Sequence, residues 1–114
     1  MPFAVNQDAR YFSVAGYGAI LSRARSLGYR IGPFRDFAPP DAQPVLLLRH
    51  DLDGPLKGAE AIAECEAGQG VGATYFVQTA GCFYNLLAPD SRSLMRRLVA
   101  LGHEVGLHYE AGRY

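Results

Sequence analysis

The sequence is short of cysteine, of net charge and of long apolar runs, and each shortage excludes a class of protein. Two cysteines occur in 114 residues, Cys65 and Cys82. They stand in no metal-ligand spacing, one in an expected helix and one in a loop. They read as free thiols of a reducing compartment and not as a disulfide framework. Lysine and arginine total 11, and aspartate and glutamate also total 11. That balance offers no basic face for nucleic acid and no polybasic run for a membrane surface. No apolar run nears the ~18 residues of a membrane-spanning helix. Met1 to Arg10 lacks the positive start and apolar core of a secretory signal, so a cytoplasmic location is expected. There is no internal repeat and no low-complexity tract. What remains is a chain with 49% hydrophobic residues, well outside the disordered range. Its length suits one domain with a modest core.

The chain is organised around one stretch. Val45, Leu46, Leu47 and Leu48 run into Arg49, His50, Asp51, Leu52 and Asp53, and Gly54 and Pro55 close it. A short apolar run ended by Gly-Pro predicts a buried, parallel strand over 45–51. Strand side chains alternate, so Asp51 and Asp53 face the same way. Two like charges at a strand end need an offset. A bound cation is the simplest and a shared proton the next. The carboxyl ends of parallel strands are also where α/β folds place ligands. The plain alternative makes both aspartates turn formers ahead of Gly54 and Pro55.

The rest of the pattern alternates helix and strand. A helix is expected from about Asp8 or Ser13 to Leu27, with Tyr17, Ile20, Leu21 and Ala24 on one face and Gly28 as its stop. The stretch 29–38 is short, aromatic and broken by Gly32 and Pro33, and Pro39, Pro40 and Asp41 form a stiff connector. A helix opened by Pro55 runs to about Ala67, with Leu56, Ala59, Ile62 and Ala63 inward. A strand over 73–78 follows, then an aromatic loop over 79–88. Asp90 or Ser91 caps a helix whose face is Leu94, Leu98 and Leu101. Glu104 to His108 is the last strand. Strand, helix, strand, helix, strand means an α/β fold with parallel strands. Residues 1–44 would be an N-terminal helix and connector, and 45–114 the first β/α units. Three strands cannot close a barrel, so the chain is expected to be the front part of a longer protein.

Parallel strands in one sheet would bring His108 to the rim that carries Asp51 and Asp53. One imidazole and two carboxylates suit Zn2+ or another divalent first-row metal. His103 opens the strand that His108 closes, ~16 Å away at ~3.3 Å per residue. It is therefore expected at the surface or as a cap. Glu104 shares the face of His108 but at the wrong end. His50 faces away from the aspartates, or else orients one of them from behind.

Three segments together carry a resemblance: Arg49 to Asp53, Ala73 to Phe76, and Gly102 to His108. In this order and spacing they resemble the polysaccharide deacetylase (NodB-homology carbohydrate esterase) family, closest to a branch whose first motif reads His-Asp-x-Asp. The similarity spans about Tyr11 to Glu110. It implies a distorted (β/α) barrel that removes N- or O-acetyl groups from sugars with a divalent metal, usually zinc. It implies that Asp53 and His108 bind the metal and that Asp51 is the catalytic base. Two departures matter. Leu52 separates the aspartates, which leaves their roles open to exchange. Gly112 stands where a second histidine ligand is usual, which leaves Glu110 or a residue beyond Tyr114 as the third ligand. The family's catalytic acid is a histidine on a later strand, and nothing here supplies it. By the same resemblance a backbone N–H near Tyr84 or Asn85 would hold the oxyanion. Phe83 and Tyr84 either stack on a sugar or pack the loop. The isolated chain is accordingly expected to be inactive and to self-associate through its last strand.

Two other readings compete. Asp51 to Leu56 also resembles the Asp-x-Asp-Gly-Thr-Leu loop of haloacid dehalogenase-type phosphatases, with Mg2+ as metal, Asp51 as nucleophile and Thr79 as second motif. Against that, Arg49 and His50 are polar, Pro55 replaces Thr, and His108 goes unexplained. An incomplete, non-catalytic domain is the third reading.

Overall fold

The structure is a computed structural model that describes residues 13–36, 43–54, 56–79 and 83–108. Pro39 to Asp41, Pro55, Cys82, Glu110 and Gly112 lie outside the described residues. Helix α1 is Val14–Ser26. It starts where the Ser13 hydroxyl accepts the Gly16 N–H at 3.0 Å, satisfying a donor that the helix itself leaves unpaired. Gly28, at φ 90°, ends the helical path. Leu21 is fully buried and Tyr17 and Ala24 half-buried, but Ile20 is 50% exposed and not inward. Gly18 takes the inward position instead. The next helix passes so close that a Cβ there would lie 3.0 Å from Gln69 Nε2.

Strand β1 is Arg30–Gly32, and it pairs in parallel with β2, Val45–Leu47. Three residues running into Gly32 and Pro33 show no period, so β1 exists through its partner and not through its own pattern. A single turn of 3₁₀ helix, Phe34–Asp36, follows β1. The strand expected over 45–51 is in fact two, β2 and then β3, Arg49–Leu52. The break is Leu48. Its N–H donates to Gly32 O at 3.1 Å, while its carbonyl accepts the Thr74 N–H at 2.9 Å. In a regular strand both groups of one residue point to the same edge. Here they point to opposite neighbours, and the chain passes from β1 to the next sheet at this residue.

Helix α2 is Ala59–Gly68, not a helix from Pro55. Its N-cap, Gly58, sits at φ 94° after a turn in which the Ala59 N–H reaches Leu56 O. Strand β4 is Thr74–Val77. Helix α3 is Pro89–Ala100 with Ala88 as N-cap, so neither Asp90 nor Ser91 caps it. Proline lacks the N–H that a first helical turn would waste and has φ already set, which places the start at Pro89. Strand β5 is Glu104–Leu107.

Strands β3, β4 and β5 form one parallel sheet in that order. Leu48, Ala73 and Tyr75 pack with Leu21, Ala63 and Leu98 from the three helices as the core. The sheet's other face carries Arg49 and Asp51, then Phe76, then Gly106, with Asp51, Phe76 and Gly106 in one register row. Phe34 covers part of that face, its ring 5.7 Å from that of Phe76. Among the described residues, no helix is long and apolar enough to cross a membrane.

Candidate metal centre

Asp51 ends its side of β3, Asp53 follows the strand, and His108 follows β5. Each contributes one potential ligand atom, and these atoms lie within 4.8 Å of one another. Register explains the meeting. Leu52, Val77 and Leu107 share a row, so the next residues of β3 and β5 flank β4 at its carboxyl end. The His108 N–H donates to Val77 O at 2.8 Å and fixes that end.

The two carboxylates have different partners. Asp53 Oδ1 accepts from His108 Nδ1 at 2.5 Å. A carboxylate brings no proton, so Nδ1 carries it, and a divalent ion bound there would take that proton's place. Asp51 Oδ1 accepts from Arg49 Nε at 2.8 Å. The like-charge problem posed by the sequence is thus met separately for each aspartate. The His108 side chain is 16% exposed and that of Asp53 51%, so the cluster opens to solvent. Nitrogen from one histidine and oxygen from two aspartates fit the donor set of zinc.

The other two histidines sit elsewhere. His50 points to the helical side, as β-alternation requires, and its Nε2–H donates to Glu66 Oε2 at 2.6 Å. Glu66 is fully buried and also accepts from Tyr17 Oη at 2.5 Å and from Tyr75 Oη. Burial is the largest influence on this carboxyl and acts to raise its pKa. The donors His50, Tyr17 and Tyr75 together outweigh it and hold the group below its ordinary 4.5. Burial, followed by the bond to Glu66, pushes both phenols far above their usual range. His103 is 1% exposed and so not a surface residue, but it does cap the preceding helix: its backbone N–H donates to Leu98 O at 3.0 Å, just past Gly102 at φ 95°. Its Nδ1 accepts the Ala73 N–H at 3.0 Å, so Nε2 is the protonated nitrogen and donates to Ala63 O at 2.9 Å. Glu104, at the far end of β5, accepts from the Thr74 hydroxyl at 2.8 Å.

Tyr84 is a tie between strand ends. Its hydroxyl donates to Leu52 O at 2.5 Å and accepts the Gln78 N–H at 2.7 Å. Phe83 is 58% exposed. Two residues carry roles that sequence reasoning did not assign. Glu66 falls three residues after Ala63 and seven after Ala59, on the inward face of α2, and that spacing was its signal. Arg49 stands two residues before Asp51 on one strand face, which sets opposite charges side by side. A scan against protein-family models and searches of curated proteins and of solved structures give no match.

Proposed function

We propose that this chain carries the metal-binding rim of a hydrolase that removes acetyl groups from N- or O-acetylated sugars, in a (β/α) barrel of the polysaccharide deacetylase type. The observation that carries the reading is the meeting of Asp51, Asp53 and His108 at the carboxyl ends of β3 and β5. Asp53 and His108 would hold the divalent ion, zinc by donor type. Bound there, such an ion lowers the pKa of a water and polarises an acyl carbonyl. Asp51 would be the residue placed to take a proton from an attacking water. Phe83, 58% exposed and next in sequence to Tyr84, which ties the strand ends, would offer a ring face to a sugar. The phosphatase reading leaves the bond between Asp53 and His108 without a purpose.

Departure of the amine or alkoxide needs a proton donor. His50 and His103 are both committed to bonds on the helical side of the sheet. Neither reaches the leaving group, so on this reading the described residues bind metal without completing catalysis. β5 is an edge of its sheet among the described residues, and Leu107 on it is 65% exposed, which favours self-association.

The test is calorimetric titration of the purified chain with Zn2+, together with acetate release from acetylated amino sugars. One bound ion per chain, lost in Asp53→Asn and in His108→Ala, supports the reading. No saturable binding, or binding indifferent to both substitutions, removes it.

A further inference from the structure

Arg49 opens β3, in the row of Thr74 and Glu104, and its side chain reaches along the strand face to Asp51, yet it belongs to neither the ligand set nor the base. Its Nε sits 2.8 Å from Asp51 Oδ1, and its guanidinium carbon lies 4.3 Å from the centre of the Phe76 ring. That ring is itself fixed. Phe34 packs on it at 5.7 Å. Gly106, in the same register row as Asp51 and Phe76, leaves room for it. A Cβ at Gly106 would lie 2.9 Å from Phe76 Cε1. Glycine in β5 thus leaves room for the ring, the ring carries the guanidinium, and the guanidinium grips one oxygen of Asp51.

The pair is half-exposed, with side chains 46% and 35% accessible. An ion pair this open to water contributes little to stability. What a planar, stacked guanidinium does supply is direction. Asp53, by contrast, pairs with no arginine among the described residues and faces His108.

We propose that Arg49 is a positioning residue that withholds Asp51 from the metal, leaving Asp53 and His108 as ligands and Asp51 as the group that meets water. This rests on the metal-dependent reading above, and it assigns the two aspartate roles that Leu52 leaves open to exchange in the sequence. Removing Arg49's donor would free Asp51 to swing onto the ion, making a three-ligand site that holds metal more tightly and catalyses less well.

The experiment is a double-mutant cycle in Zn2+ affinity on the full chain, with far-UV circular dichroism to confirm folding. In the wild-type background Asp51→Asn changes affinity by less than about threefold, within the spread expected of uncoupled sites. Arg49→Met keeps an apolar stem over Phe76 without the donor, and affinity rises about tenfold. In the Arg49→Met background Asp51→Asn abolishes that gain. Cobalt(II) in place of zinc shows an altered visible spectrum in Arg49→Met and the wild-type spectrum in the double variant. Arg49→Lys keeps the charge but not the planar fork, and it gives a gain in the same direction. If the gain in Arg49→Met survives Asp51→Asn, only a repelling charge has been removed and the proposal is overturned. The same holds if Asp51→Asn weakens the wild type as much as Asp53→Asn does. A wild-type chain that binds no Zn2+ overturns the underlying metal reading, and this proposal with it.

Discussion

Asp53 and His108 stand 55 positions apart in the chain and share a 2.5 Å hydrogen bond between the ends of β3 and β5. The strand between them, β4, is the reason they meet. Each sits one residue beyond a shared register row, so both clear the sheet edge together. As the only His–carboxylate pair at this rim among the described residues, it should dominate metal binding. Asp53→Asn and His108→Ala should each lower Zn2+ affinity by more than roughly 100-fold, beyond the loss typical of residues that only support a ligand. Calorimetry of the folded variants measures it directly.

His103 should behave in the opposite way. It lies on the helical side, where its ring meets Tyr75 edge-on at 5.1 Å and its two nitrogens bridge Ala73 and Ala63. His103→Ala leaves a buried N–H without an acceptor and a gap beside Tyr75. A loss of ~2–4 kcal/mol is expected, with Zn2+ affinity of the folded fraction unchanged. Urea melts with and without metal separate the two effects. An affinity loss matching that of His108→Ala would mean the strand is not straight in solution.

That histidine marks what the sequence could and could not convey. Period-two alternation placed Asp51 and Asp53 on one face, and the order of strands placed His108 beside them. Those inferences need only local geometry and sheet order. His103 follows Gly102 at a helix end, a position that reads as surface. Its burial depends on a backbone donor and acceptor 30 and 40 positions away, which no local pattern encodes. Glu66 is similar. A glutamate on a helix reads as solvated, and only its three distant donors make it interior. Strand β1 was invisible because three residues are too few for a period, and Leu48 because a change of hydrogen-bonding partner leaves no mark on an apolar run.

The Glu66 cluster predicts how stability varies with pH. Its carboxyl is held below the ordinary 4.5, so between the two values the unfolded chain binds more protons than the folded one. The stabilisation is complete above pH ~5 and is lost as pH falls through the folded value. Tyr17 and Tyr75 are shifted upward, so their contribution is intact at neutral pH and begins to be lost above pH ~10, where the unfolded phenols ionise. Glu66→Ala strands buried donors and should cost ~3–5 kcal/mol. Tyr75→Phe, losing one bond to a charged acceptor, should cost ~1.5–3 kcal/mol. Melting temperature followed from pH 3 to 11 should fall at both ends in the native chain. The acid fall should be shallower in Glu66→Leu.

Gly106→Ala tests the packing under the rim. The added methyl meets Phe76 at 2.9 Å, and Phe34 blocks the ring's retreat on one side. Overpacking of this kind costs ~1–3 kcal/mol. Phe76→Leu in the same chain should recover part of that loss, because the two residues share one row and one clash. Additive effects of the two substitutions would show that the ring is free to move aside.

The final prediction concerns turnover. On the proposed reading a base and two ligands come together at one rim, yet His50 and His103, the histidines outside that set, are engaged elsewhere. His50 donates a hydrogen bond to Glu66, and His103 is locked between two backbone groups. General acid assistance typically contributes ~10²–10⁴-fold, and an open rim adds neither the water exclusion nor the substrate positioning that a closed site supplies. These 114 residues should therefore bind Zn2+ and release acetate from acetylated amino sugars no faster than the free ion does. The measurement is acetate release at matched total zinc, with and without protein. A metal-dependent rate above that of the free ion, abolished by Asp51→Asn, would place a proton donor inside this chain. With His50 and His103 bound on the opposite face, His108 would be the residue to substitute next. It would then have to act as an acid and not as a ligand, and Asp53 would be the group that orients its proton.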